Sequence, residues 1–149
     1  MSMLSRREAR ENLLELLFET EFRSDESYEE IYAISAAERE LPDDSYVKDG
    51  YFTICREREA IDGMIGRHSN GWKPSRLTRI SRSILRLGVY EMMFLPEIPF
   101  SVSINEAVEL SKKYDDEKAK AFINGILNSV KEELSANDAG KKAEDGTEA

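Results

Sequence analysis

The apolar residues of this chain recur at steps of three and four positions, the spacing that places side chains on one face of an α-helix. Alternation of apolar and polar residues, the mark of a half-buried strand, does not occur over any strand-length stretch. Glycine and proline are few, at 8 and 4 of 149 residues, so the sequence holds few helix breakers. The pattern predicts an all-α chain of six to seven helices.

Several helix starts are marked by capping signals. Three serines stand three positions before a glutamate, the spacing of a capping box: Ser5 with Glu8, Ser27 with Glu30, and Ser103 with Glu106. We expect helices to begin at these serines. Other helices are predicted over about 44–68, from Pro74 toward Leu95 with a possible break near Arg79, and after the acidic run 115–117.

The composition is that of one folded domain and a polar tail. Hydrophobic residues make up 40% of the chain, which is enough to bury one core of ordinary size. We expect a helical domain over residues 1–135 and a disordered tail over 136–149, where the residues are small and polar. No apolar run approaches the roughly 20 residues that span a bilayer. With a single cysteine, these features are typical of a cytoplasmic protein.

Charge is distributed unevenly along the chain. The net charge of −9 argues against general affinity for nucleic acid. Residues 24–62 hold 12 acidic and 4 basic side chains, a net of −8, whereas residues 63–95 hold 1 acidic and 6 basic, a net of +5. Because charges are screened beyond about 8 Å at physiological salt, a local basic surface can still bind phosphate.

Catalysis finds little support in the sequence. His68 is the only histidine and Cys55 the only cysteine, and the 13 positions between them are not a helical neighbour spacing. A helix-end histidine and a core cysteine explain both residues. Glycine-rich phosphate loops are missing as well. We therefore expect no enzyme activity, no metal site and no cofactor.

The first predicted helix carries three arginines in its first turns, at Arg6, Arg7 and Arg10. Cations at a helix start cost roughly a few tenths of a kcal/mol, which suggests a compensating anion such as phosphate. Phe18 lies in one i,i+4 row with Arg10, and an aromatic ring beside a cation is a stacking platform for an unpaired base. The alternative is that nearby glutamates neutralise the arginines and that Phe18 belongs to the core.

A second basic stripe is formed by Arg79, Arg82 and Arg86, which fall within roughly 60° of one another on a helix. Arg76 lies just before it. The stripe suits phosphate binding. It suits equally well a structural pairing with acidic residues of 24–62, in which exposed pairs contribute only about 0–1 kcal/mol each.

A third group near the start of the last predicted helix combines charge, a ring and an amide. Lys118 and Lys120 precede Phe122, and Asn124 follows it. This combination suits single-stranded RNA, whose exposed bases stack on aromatic side chains. The alternative for Phe122 is an ordinary core position at the head of an apolar stripe.

Short motifs in a fixed order resemble those of the NusB family, over about residues 5–134. They are RREARE at 6–11, Trp72, ILRL at 84–87, YE at 90–91, IP at 98–99, INEAVEL at 104–110 and FINGIL at 122–127. The resemblance implies a compact all-α domain of two packed helical subdomains.

The resemblance also implies a function in transcription antitermination. Members of the family bind boxA-type single-stranded RNA, notably in rRNA leaders, and form a heterodimer with NusE, a small-subunit ribosomal protein. The pair joins NusA, NusG and RNA polymerase. A homodimer is also possible by this analogy. The alternative is a helical protein–protein interaction module without RNA binding of its own.

By the same analogy the candidate site residues fall into two sets. The RNA-binding residues are Arg6, Arg7, Arg10, Phe18, Lys118, Phe122 and Asn124. The residues that face NusE are Ser81, Arg82 and Arg86. The chain departs from the family pattern where Phe18 replaces a common tyrosine, and where Ser81 and Lys118 replace frequent acidic residues.

Overall fold

The protein is described here by a computed structural model that covers residues 4–70 and 77–137. Over these residues it forms α-helices and no strand, which confirms the predicted all-α class. The helices are α1 Arg6–Thr20, α2 Tyr28–Arg39, α3 Ser45–Arg56, α4 Arg58–Arg67, α5 Arg79–Phe94, α6 Phe100–Tyr114 and α7 Glu117–Asn137. They divide between two compact units, Met1–Arg58 and Glu59–Ala149.

The first unit consists of α1, α2 and α3, each in contact with the other two. Both capping boxes predicted for it are present. At α1 the Glu8 amide donates to Ser5 Oγ at 3.0 Å and the Ser5 amide donates to Glu8 Oε1 at 2.9 Å, and Ser27 makes the same pair of bonds with Glu30. These bonds satisfy amides that have no partner inside the helix, so both helices begin where the sequence predicts.

The prediction of one long helix over residues 44–68 is wrong, because Glu57 separates two helices, α3 and α4. Glu57 has φ −100° and ψ 23°, outside the helical region. Buried Ile54 and Ile61 keep helical spacing across the break, but the six residues between them hold no large aliphatic or aromatic side chain. The turn that joins the two helices therefore has little apolar packing to hold it helical.

In the second unit α5, α6 and α7 contact one another, and α5 is buried along most of its length. At Gly88 the three helices approach closely. An added Cβ there would lie 3.1 Å from Leu127 Cδ1 on α7 and 3.6 Å from Ala107 Cβ on α6. Thr78 caps α5 by accepting from the Ser81 amide at 3.1 Å, so the predicted break near Arg79 is the start of this helix.

The predicted start of α6 at Ser103 is wrong. The helix begins at Phe100 after extended Pro99, and Ser103 is only 2% exposed within it. Its hydroxyl donates to Oε1 of buried Glu91 at 2.8 Å instead of capping a helix end. The spacing of a serine and a glutamate three residues later also occurs inside helices, and here the serine serves a buried carboxylate.

At the start of α7, Asp116 Oδ1 accepts from the amides of Lys118 and Ala119 at 2.9 and 3.1 Å. The acidic run thus acts at the helix start as predicted. The helix continues through Asn137, so Ala136 and Asn137 of the predicted tail are helical. Residues 138–149, and the predictions for Trp72, Pro74 and Arg76, lie outside the described residues. Within those residues no helix has the length and apolarity needed to cross a membrane.

Candidate nucleic-acid interface

The three arginines at the start of α1 differ in exposure. Arg6 and Arg7 are exposed, whereas Arg10 is only 5% exposed. Tyr46 of α3 organises two of them, because the guanidinium carbon of Arg6 lies 4.5 Å from the centre of its ring and that of Arg10 lies 5.9 Å from it. These are cation–π distances. The ring therefore holds cations together at a helix start, where the helix dipole also favours an anion.

Phe18 is partly exposed near the C-terminal end of α1 and pairs with Phe22 just beyond it. Their ring centres are 5.1 Å apart with an angle of 72° between the planes, an edge-to-face arrangement. Phe22 is 58% exposed. Phe18 is thus neither a fully buried core residue nor a single exposed ring, but part of an aromatic pair at the surface.

The glutamates beside this aromatic pair are held in ion pairs. Arg39 of α2 binds Glu15 at 2.9 Å and Glu19 at 3.0 Å, and Arg23 binds Glu19 and Glu26. Burial raises the pKa of Glu19, but hydrogen bonds from Ser35, Arg39 and Arg23 outweigh it, so the net shift is downward. Two arginines are thus shared among three glutamates, which offsets part of the negative charge at this end of α1.

The second unit has a pocket of about 400 Å³ at the start of α7, largely apolar in its lining. The lining residues are Leu77, Thr78, Ser81, Asp115, Asp116, Lys118, Ala119 and Phe122. The Ser81 hydroxyl donates to Asp115 Oδ2 at 2.5 Å and ties α5 to the turn before α7. Phe122 offers an aromatic wall and Lys118 is exposed at the edge. A ring beside a cation is the combination that proteins use to bind single strands, and the carboxylates of Asp115 and Asp116 line the same pocket.

Residues predicted for different partners meet in this pocket. The family resemblance assigns Ser81 to NusE, and Lys118 and Phe122 to RNA, yet all three line one cavity. Asn124 is not among the lining residues. It is exposed on α7, where its Oδ1 accepts from Asn128 Nδ2 at 3.3 Å.

The arginines of α5 are not equivalent. Arg79 is exposed, Arg82 is partly exposed and donates to the Leu77 carbonyl at 3.2 Å, and Arg86 is 9% exposed. Arg86 binds both carboxylate oxygens of Asp62 on α4 at 2.8 Å. For Arg86 the structural pairing considered from the sequence is confirmed.

The only histidine is engaged in structural bonds. His68 Nδ1 lies 2.6 Å from Ser129 Oγ and Nε2 lies 2.6 Å from Glu133 Oε1, both on α7. Arg67 Nη2 also binds Glu133 at 2.7 Å. Among the described residues no cluster of His, Cys, Asp and Glu is arranged to hold a metal ion. Histidine here links the end of α4 to α7.

Two residues of the candidate interface were missed by the sequence reasoning. Tyr46 had no visible signal, since its contact with the arginines depends on how α1 packs against α3. Phe22 did have a signal in the sequence, because it follows Phe18 by four residues and continues the i,i+4 row of Arg10, Leu14 and Phe18.

Comparison with known proteins gives a consistent result. The NusB family matches residues 7–132. The transcription antitermination protein NusB of Ruminiclostridium cellulolyticum is 39% identical, over 91% of this chain and 97% of its own length. The solved structure of T. maritima NusB has 34% identity and a TM-score of 0.79, covering 89% of this chain and 94% of its own.

A further solved structure is that of antitermination factors NusB and NusE in complex with dsRNA. Its matching chain is 31% identical with a TM-score of 0.77, and the match covers 89% of this chain and 99% of that one. Fold, sequence and family match agree along nearly the whole chain. The chain belongs to the NusB family.

Proposed function

We propose that this protein is a transcription antitermination factor that binds boxA-type single-stranded RNA together with NusE, notably on rRNA operons. It acts by binding, without a catalytic step, in a cytoplasmic complex with NusA, NusG and RNA polymerase. Relatives that share 39% of their residues with the chain are named antitermination proteins. A neighbour of the same fold was solved in complex with NusE and dsRNA.

The observation that carries the proposal is the surface of α1. It presents exposed Arg6 and Arg7 at a helix start and partly exposed Phe18 further along. Cations and the helix dipole at that end suit phosphate, and the ring suits an unpaired base. Arg10 contributes through its contact with Tyr46, which also orients Arg6.

The pocket on the second unit supports the same proposal. We propose that Phe122 stacks on a base, that Lys118 contacts the backbone, and that Asn124 contacts RNA from the exposed face of α7. Single strands are bound by this pairing of an aromatic ring with a cation, since every base has a face that can stack.

We propose that the start of α5 faces NusE through Ser81 and Arg82, of which Ser81 is buried beneath the surface and Arg82 is partly exposed. Arg86 serves this surface by fixing α5 to α4 through Asp62. Because Ser81 lies in the pocket with Phe122, NusE at this surface would lie beside bound RNA.

The Arg7→Ala variant tests the RNA surface. We expect weaker binding of a boxA-type RNA and a plot of log affinity against log salt that is flatter by about 0.7 for each phosphate that the variant no longer binds. Fluorescence titration at several salt concentrations measures both quantities. Arg56→Ala, which removes an exposed arginine of α3 paired with Glu57, is the matched control and should leave affinity and slope unchanged.

The same titration with NusE present tests the assembly. The complex of the two proteins should bind the RNA more tightly than this chain alone. Equal affinity with and without NusE, and no effect of Arg7→Ala, would contradict the proposal.

A second candidate function is a protein–protein interaction module without RNA binding of its own. The net charge of −9 and the pairing of Arg86 with Asp62 favour it. A pull-down of NusE that survives nuclease treatment, with no measurable RNA affinity of the chain or of its NusE complex, would decide for this alternative.

A further inference from the structure

Phe22 is the most exposed large hydrophobic side chain among the described residues, at 58%, followed by Ile34 at 43% and Val102 at 40%. Phe22 forms an aromatic pair with partly exposed Phe18, and exposed aromatic rings are where unpaired bases stack. We infer that Phe22 is a second stacking site for an unpaired RNA base, next to Phe18. The inference rests on the proposed function and extends its RNA surface beyond the end of α1.

The geometry of the aromatic pair suits this role. The ring centres of Phe18 and Phe22 lie 5.1 Å apart at an angle of 72°, within the range that aromatic pairs prefer. Phe18 therefore limits the positions that the Phe22 ring can adopt. Although it contacts Phe18, Phe22 is 58% exposed, so more than half of its surface is accessible for stacking.

Ion pairs reduce the negative charge around the aromatic pair. Glu15 and Glu19 would repel RNA if they were unpaired, but Arg39 binds both and Arg23 also binds Glu19. These ion pairs offset part of the negative charge where a base would stack. The base itself is neutral, so the nearest phosphate does not need to contact this end of the helix.

The phosphate contacts lie at the other end of α1. Arg7 and Phe18 are eleven residues apart, which is three turns plus about 20°, so they share one face of the helix. The rise between them is about 16 Å. A single strand that runs along this face has its backbone near the arginines at one end and stacks bases on the two rings at the other.

A nucleobase fits this surface better than a protein segment does. The exposed apolar area consists of one aromatic pair set among charged side chains, namely Glu19, Glu21 and Arg23. Protein interfaces of ordinary stability bury about 800 Å² on each partner around an apolar centre, which a single ring pair does not supply. A planar base needs only one ring face.

The test uses the full chain and a boxA-type RNA in which single positions carry the fluorescent base 2-aminopurine. Phe22→Ala should weaken RNA binding about five- to 150-fold, the range for removing one stacked base. One labelled position should lose its binding-induced fluorescence change. The salt dependence should equal that of the wild type, because every phosphate contact is kept.

Three further variants separate stacking from packing. Phe22→Tyr keeps the ring and should bind like the wild type, whereas Phe22→Leu keeps apolar volume without a ring and should bind like Phe22→Ala. Ile34→Ala removes an exposed apolar side chain from the same unit and should leave affinity unchanged. Thermal unfolding of each variant shows whether the fold is intact.

The outcomes distinguish this inference from the function on which it rests. If the wild type binds RNA and Phe22→Ala binds equally well, the second stacking site is wrong and the proposed function stands. Wild-type affinity of Phe22→Leu, or loss of self-association instead of RNA affinity in Phe22→Ala, also overturns it. If the wild type binds no RNA, alone or with NusE, both proposals fall.

Discussion

At the residue scale, Arg86 shows how burial changes the role of a charged side chain. It lies on a helix face that looks basic in the sequence, yet it is bound at two points by Asp62. A buried guanidinium is stabilising only while its partner remains. Loss of Asp62 should therefore be more damaging than loss of an exposed acid.

We expect Asp62→Ala to lower the free energy of unfolding by about 1.5–3 kcal/mol, the range for hydrogen bonds to charged groups. The arginine would be left in a buried site without those two bonds. Glu132→Ala, at an exposed position of α7, should change stability by about 0.5 kcal/mol or less. Urea unfolding of both variants measures the difference, and equal values would contradict the structural role of Asp62.

Glu133 should make stability depend on acid pH. Hydrogen bonds from Arg67 first and His68 second lower its pKa below the ordinary value. The unfolded chain then binds more protons than the folded one in this range, so stability is present in full above the ordinary pKa and declines as pH falls through the lowered one.

The Glu133→Gln variant cannot lose a charge at this position. Its unfolding free energy should therefore decline less steeply than that of the wild type as the pH is lowered below the ordinary pKa of a glutamate. Glu132→Gln, at the exposed neighbouring position, should keep the wild-type profile. Identical profiles for the wild type and Glu133→Gln would show that the ion pair contributes nothing to folding.

Individual residues of the interface were predictable only in part from the sequence. The type and order of Arg6, Arg7 and Phe18 are visible in the chain. The burial of Arg10 is not, because it depends on the contact with Tyr46 from another helix. Which predicted residues contact RNA or NusE remains a prediction.

At the element scale, two glycines show how packing decides the effect of one substitution. Gly125 is exposed on α7 with nothing within 4 Å of an added Cβ, whereas at Gly88 the added atom would lie 3.1 Å from Leu127 Cδ1. Alanine in a helix is favoured over glycine by about 1 kcal/mol. At Gly88 that gain is opposed by overpacking.

We expect Gly125→Ala to raise the free energy of unfolding by about 0.5–1 kcal/mol. Gly88→Ala should give a smaller gain or a loss, because Leu127 has to move. Thermal and urea unfolding of the two variants side by side check the order. A larger gain at Gly88 than at Gly125 would show that α7 can shift away from α5 at little cost.

Helices were predictable where a local signal is unambiguous, and not where two signals compete. Ser5 and Ser27 stand before their helices and cap them. Ser103 has the same spacing to a glutamate but lies inside α6, because Pro99 begins that helix earlier. The break at Glu57 escapes detection since buried Ile54 and Ile61 keep helical spacing across it.

At the scale of the whole molecule, a net charge of −9 and affinity for RNA are compatible only if binding is local. The salt dependence of wild-type binding tests this. If phosphates meet the few cations of α1 and α7, affinity should fall with salt, with a slope of about −2 to −3 for three to four contacts. Affinity that rises with salt would show that repulsion by the whole protein dominates.

The overall class of the molecule was accessible from periodicity, because six or seven amphipathic helices leave no other way to bury their apolar faces. The family was accessible from motif order, from 6–11 to 122–127. The sequence did not predict that Ser81 and Phe122 line one pocket. These residues are 41 positions apart and come together only through the packing of α5 and α7.

Arg39 lies on α2 but affects the surface charge of α1. By binding Glu15 and Glu19 it sets the charge that α1 presents beside Phe18 and Phe22. On the proposed function, substitutions on α2 can therefore tune RNA affinity while every contact residue stays the same. Natural variants of this protein can thus differ in affinity through a helix that the nucleic acid does not need to touch.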